Sequence, residues 1–88
     1  MNKLKLVSEY LENIEETALS ADGFDNAIIG VYDGKIVYSI TKCISLLIHR
    51  DKMTKEDAYE YFYFNVVGAY AGEKTPIWVD DIMLPNVI

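Results

Sequence analysis

"NAIIGVYDGKIVYSI", Asn26–Ile40, is the stretch whose reading decides the fold class. Two runs rich in β-branched and aromatic residues, "NAIIGVY" and "KIVYSI", meet at Asp33-Gly34. An Asp-Gly pair tolerates positive φ at both central positions of a two-residue type I′ turn, so the stretch predicts a β-hairpin. Strict alternation would place Ala27, Ile29 and Val31 on one face and Ile28, Gly30 and Tyr32 on the other. Both faces are then apolar, and the expectation is that something covers each side.

Helices are predicted on either side of the hairpin. In "NKLKLVSEYLENIEETALS" the residues Leu4, Val7, Leu11, Ile14 and Ala18 recur at three and four. Glu9, Glu12, Glu15 and Glu16 lie mainly off that stripe, so the segment reads as an amphipathic helix ending near Ser20. "SADGFDN" collects turn-forming residues. After the hairpin, Ser39 or Thr41 can cap a second helix with Cys43, Ile44, Leu47 and Ile48 inward, and "HRDKM" breaks it. Thr54 with Asp57 reads as a capping box, and Met53 is placed to staple onto Ala58.

The third helix, "KEDAYEYFYFNVVGAYA", carries Ala58, Tyr61, Phe62, Asn65, Val66 and Ala69 on one face. Tyr59, Tyr63 and Tyr70 lie along a neighbouring face. An interior glycine costs about 1 kcal/mol against alanine, which makes Gly68 anomalous unless close packing or an early stop compensates. Gly72 suits a left-handed helix end, and Pro76 forces Thr75 into extended backbone, opening a third strand "PIWVDDI". The order α-β-β-α-α-β, with the third strand beside the hairpin and helices over the sheet, is a single α+β domain spanning residues 1–88.

Composition bounds the function. The 88 residues are 51% hydrophobic and 25% charged, which is ordinary for one folded domain with one core. Fourteen acids stand against eight bases, spread evenly, for a net charge of −6. With no basic run, direct binding of nucleic acid or an anionic membrane has no electrostatic basis. An acidic chain can instead occupy the nucleic-acid groove of another protein. A lone cysteine forms no internal disulfide, and a reducing cytoplasm suits it. "MNKLKLVSEYLENIEE" has neither the apolar run nor the cleavage site of a signal peptide, and no apolar stretch reaches the roughly 20 residues of a membrane span. The expected location is the cytoplasm.

No catalytic set is apparent. Cys43 and His49 are six positions apart, which on a helix is about 240° around the axis, so they point away from each other. Cys43 reads as core and His49 as a helix-end residue. The acid pairs Glu15-Glu16 and Glu56-Asp57 are explained by a solvated face and a helix N-terminus. Asp80-Asp81, at a strand end, lacks a third ligand for a metal. "DGFDN" misses the required positions of a calcium loop, and "GAYAG" lacks the Lys and Ser/Thr of a phosphate loop. Neither a catalytic residue, a metal site nor a cofactor is expected.

Seven Tyr, three Phe and one Trp are more informative. Tyr59, Tyr61, Tyr63 and Tyr70 crowd one helix, which is either buried all round or presents a tyrosine face to a partner or a base, tyrosine giving contact area with a polar tip. Asn65 either satisfies backbone near Gly68 or offers its amide to a ligand. The expected partner- or ligand-binding residues are Tyr59, Tyr63, Asn65, Tyr70, Gly72, Glu73, Lys74 and Thr75, and self-association is expected to use part of the surface.

"MTKEDAYEYFYFNVVGAYAGEKTPIW" resembles a group of short acidic proteins encoded by tailed bacteriophages and some large DNA viruses. Their pattern looks like "D-x-M-T-x-E-x-A-x-E-Y-F" followed by "F-N-x-x-G-A-Y-x-G-E-x-T-P". The match runs from Asp51 to Pro76 and includes Asn65, Gly68, Tyr70, Gly72, Glu73, Thr75 and Pro76. Ala71, where Val is the expected residue, departs from it, and residues 1–23 lie outside it. The resemblance implies a viral origin and no mechanism. The leading expectation is a non-enzymatic protein that inhibits or redirects a bacterial host factor, such as a defence component, in the way many anti-CRISPR proteins do. A second is an oligomer sequestering a small nucleotide, stacked on Tyr63 or Tyr70 with backbone N–H groups near Gly72 and Lys74 at its phosphate. A third is a structural, self-assembling viral accessory protein.

Overall fold

The computed structural model describes residues 2–81. Three α-helices, α1 (Lys3–Asn13), α2 (Ile40–His49) and α3 (Lys55–Tyr61), combine with three strands, β1 (Ile28–Tyr32), β2 (Lys35–Ser39) and β3 (Ile77–Val79). The fold is α+β in the predicted order. Asp33 at φ 53° and Gly34 at φ 71° give the hairpin the two positive-φ positions that a type I′ turn requires. β2 is central, antiparallel to β1 and parallel to β3, with Tyr38 opposite Trp78. The parallel pairing is possible because the β2–β3 connection crosses over through α2 and α3.

Strict alternation in β1 does not hold. Ile28 pairs with Tyr38 and Gly30 with Val37, so a bulge leaves Ile29 without a partner. Ile28 and Val31 therefore face the core alongside Ile36 and Tyr38, while Ile29 and Tyr32 are exposed. The expected cover on both faces of the hairpin is found on one face only among the described residues.

Helix α1 is shorter than its apolar periodicity predicts. Asn2 caps it by accepting from the Lys5 N–H, but the helix stops at Asn13 and Glu15 takes φ 56°. Tertiary partners claim the backbone beyond it. The Leu19 N–H donates to the Lys74 carbonyl at 3.1 Å, the Ala21 N–H to the Tyr38 hydroxyl at 2.8 Å, and the Ser20 carbonyl accepts from the Tyr70 hydroxyl at 3.1 Å. A continued helix would forfeit these bonds. Ile14, read as part of the buried stripe, is exposed, and Ala18 packs on the core from outside the helix.

The core is a sheet-and-helix sandwich centred on aromatic rings. Phe62 meets Trp78 edge-on at 5.4 Å and Phe24 at 6.5 Å, and Tyr38 lies 5.1 Å from Trp78. Each such pair contributes about 0.5–1.5 kcal/mol beyond its buried area. Cys43, Ile44 and Leu47 of α2 fill the space beneath, as the second-helix stripe predicts. Ser39 is the N-cap of α2, its Oγ accepting from the Lys42 N–H at 3.0 Å.

Candidate functional site

Thr54 begins α3 as its sequence predicts, with Oγ1 accepting from the Asp57 N–H at 3.1 Å. The return bond of a full capping box does not form among the described residues, and the Asp57 side chain faces outward instead. After Tyr61 the geometry changes. Phe62–Val66 is a π-helical turn, in which the Val67 N–H reaches the Phe62 carbonyl five residues back, and Val67–Ala69 is a 3₁₀ turn. The extra residue in the π turn shifts the inward phase, so Val67 and Tyr70 pack on the core while Ala69 is exposed.

This corrects the predicted faces. Ala58, Phe62 and Val66 form the buried stripe, but Tyr61 and Asn65, expected beside them, are exposed. A helix buried all round is also excluded: Tyr59, Tyr61 and Tyr63 are 38–46% exposed and Phe64 is 77% exposed. Met53, Asp57, Glu60, Tyr61, Phe64 and Asn65, spaced at three and four, line one open groove of about 500 Å³. It combines two aromatic side chains, two carboxylates, one amide and a thioether, and no cation lines it. Neither carboxylate takes part in an ion pair among the described residues.

The residues singled out from sequence are not brought together. Only Asn65 lines the groove. Tyr59 and Tyr63 lie beyond the core stripe on the other flank, Tyr63 resting 5.1 Å from the Phe62 ring. Tyr70 is half-buried, its ring 6.2 Å from Trp78 and its hydroxyl on the Ser20 carbonyl. The helical run ends at Ala69 with Tyr70 extended, so Gly72 does not end it as expected; Gly72 takes φ 101° in the turn that follows, where the Thr75 N–H reaches back to its carbonyl at 3.5 Å. Glu73 is exposed, and the Lys74 ammonium donates to the Glu16 carboxylate. That bond, more than the surrounding charges, raises the pKa of Lys74.

The "GEKT" turn thus fastens the end of the third helical run to the segment after α1, beside the hairpin turn. The recess there holds Glu16, Asp33 and Glu73 against Lys35 and Lys74, and both lysines are engaged by carboxylates. An anionic ligand finds an unfavourable field at this place.

The remaining polar candidates are structural. Asp81 is buried and accepts from the Ser39 hydroxyl at 2.5 Å and the Thr41 N–H at 3.3 Å. Burial by itself would raise its pKa, but these hydrogen bonds outweigh it and hold the carboxyl below its ordinary value. Asp80 is exposed. Cys43 is fully buried, and burial, with the nearby Asp81 charge, pushes its thiol up to about 12, which makes it a packing residue and a poor nucleophile. His49 sits exposed at the end of α2.

Five of the groove residues, Met53, Asp57, Glu60, Tyr61 and Phe64, were missed as site residues. The signal was present as a second stripe, 53-57-60/61-64/65, running parallel to the core stripe. Its reading was obscured because α-helical periodicity assigned Tyr61 and Asn65 to the core. Among the described residues there is no group of three or more His, Cys, Asp or Glu able to hold a metal ion, and no helix long and apolar enough to cross a membrane. Comparison of the chain with protein-family models, with characterised proteins and with solved structures finds no match to any of them.

Proposed function

We propose that this chain is a non-enzymatic binding protein that docks on a bacterial host protein through the outward stripe of α3 and its π turn, and inhibits or redirects it. The observation that carries the reading is Phe64, the most exposed of the large apolar side chains among the described residues, lining one groove with Tyr61, Asp57 and Glu60. Burying such a ring on a partner gains about 1.5–3 kcal/mol, and aromatic anchors of this kind dominate interface energetics. π turns are frequent at functional sites, and Phe64 and Asn65 lie exposed within this one. The phage-like "EYF-x-FN-x-x-GAY-x-GE-x-TP" pattern supports a viral origin and, with it, a host-cytoplasm location.

The nucleotide-sequestering alternative has less support. Lys74, its phosphate contact, is occupied by Glu16, and Tyr70 is committed to Ser20 and Trp78. The test is affinity capture from bacterial lysate with the tagged chain and with Phe64→Ala, combined with mass spectrometry of eluted proteins and small molecules and with the solution mass of the bait. One stoichiometric host protein, lost with Phe64→Ala, is the expected result. A released nucleotide without a protein, or a self-assembled bait that retains nothing, would overturn the reading in favour of sequestration or of a structural accessory role.

A further inference from the structure

Resting on the reading that α3 is the docking face, we infer that the groove receives an arginine side chain from a basic surface of the partner. The lining determines this choice by its charge and its shape. Asp57 and Glu60 are three residues apart on one helix, a like-charge pair that costs a few tenths of a kcal/mol in the free protein and is relieved when a cation lies between them. Tyr61 and Phe64 supply aromatic faces in the same groove as those carboxylates, and Asn65 adds its amide to the lining.

An ammonium would satisfy the charge but not the rings. It is a compact, strongly hydrated ion with no planar face. A guanidinium is planar and weakly hydrated, stacks on an aromatic face, and presents a fork of N–H donors that matches a carboxylate in bidentate geometry. Its three-carbon stem can cover the Met53 side of the groove, where the thioether supplies an adaptable apolar contact. A phosphate-bearing ligand is disfavoured by the same two carboxylates. The chain's net charge of −6 would draw a basic partner surface toward it from a distance, and the groove would set the register.

The probe is an acetylated, amidated peptide of alternating arginine and glycine, with its lysine counterpart as control. Each is titrated into the isotope-labelled full chain and followed by backbone amide shifts. The expected result is saturable shifts confined to residues 53–66, several-fold tighter binding of the arginine peptide, and loss of that preference in Phe64→Ala. Glu60→Gln, at an exposed position away from the helix cap, is expected to weaken the arginine peptide about 3- to 10-fold with the spectrum of the free protein otherwise unchanged. Raising salt from about 0.05 to 0.3 M is expected to weaken binding, as screening requires.

Equal binding of both peptides, shifts scattered over all acidic positions, or no binding would overturn the inference. The two readings fail separately. A host protein captured by the wild type and by Glu60→Gln alike, but lost with Phe64→Ala, would leave docking through α3 standing and remove the arginine. Capture that is indifferent to Phe64→Ala would remove the docking face itself.

Discussion

Replacing Asp81 by alanine is the perturbation whose consequence the structure specifies most fully. The Asp81 carboxylate accepts from the Ser39 hydroxyl at 2.5 Å and the Thr41 N–H at 3.3 Å, while Ser39 Oγ accepts from the Lys42 N–H at 3.0 Å. One acid therefore joins the chain just past β3 to the last residue of β2 and the first turn of α2. A hydrogen bond to a charged group contributes about 1.5–3 kcal/mol, and the longer contact to Thr41 belongs at or below the low end. Relief of the cost of burying a charge offsets part of this, whereas the fully buried Ser39 hydroxyl left without an acceptor adds to the loss. The expected destabilisation of Asp81→Ala is about 2–4 kcal/mol, with about half of that for Asp81→Asn.

The assay is urea unfolding at neutral pH, repeated down the acid range. Because the folded-state pKa of Asp81 is lowered, its contribution is fully present above the unfolded value of about 3.9 and is lost as pH falls through the lower folded value. The stability gap between wild type and Asp81→Asn should accordingly be constant from pH 5 to 7 and narrow once pH falls below the unfolded value of about 3.9. A double-mutant cycle with Ser39→Ala should give a coupling energy above about 1 kcal/mol. A loss under about 0.5 kcal/mol for Asp81→Ala, or a gap to Asp81→Asn that does not narrow at all as pH is lowered past about 3.9, would refute the reasoning.

Neighbouring rings on the third helical run should behave oppositely. Phe62→Ala empties the centre of the core and is expected to cost about 3–5 kcal/mol, whereas Phe64→Ala should change stability by no more than about 0.5 kcal/mol in the same denaturation assay. The two nearby glycines should also separate. Gly72→Ala places a side chain at φ 101° and is expected to cost at least about 1–2 kcal/mol, while Gly68→Ala, whose added Cβ would sit 3.4 Å from the Tyr63 carbonyl at negative φ, should be close to neutral by thermal unfolding. Cys43, buried with its thiol pushed up to about 12, should resist alkylation at pH 8 in the native protein and react within minutes in denaturant. Rapid native labelling at the unfolded rate would show the core to be open.

Local chemistry alone determined several parts of this protein. Asp33-Gly34 dictated the hairpin because few dipeptides accept two consecutive positive φ angles. Ser39 and Thr54 fixed the starts of α2 and α3 because their hydroxyls satisfy N–H groups that the helices leave free. Pro76, which disfavours helix at the residue before it, immediately precedes β3. The tyrosine-rich composition of that run pointed to a surface of interest, without locating it.

What tertiary structure decided lies where distant groups compete with local preference. The α1 stripe extends through Ala18, yet the helix stops at Asn13 because Tyr38, Tyr70 and Lys74 bind the backbone of residues 19–21. The "GAYAGEKT" segment, which the nucleotide-sequestering expectation made a ligand site, is a fastening because Glu16 and Ser20 arrive from 50 or more residues away. Asp81, one of two adjacent acids with no local distinction, is buried because β3 pairs in parallel with β2 and so ends beside the start of α2. The groove itself depended on how far around the third helical run the buried arc reaches. The apolar periodicity counts Tyr61 and Asn65 inward, and only the packing of Ala58, Phe62 and Val66 on the core shows that the buried stripe is narrower and which stripe is left to meet a partner.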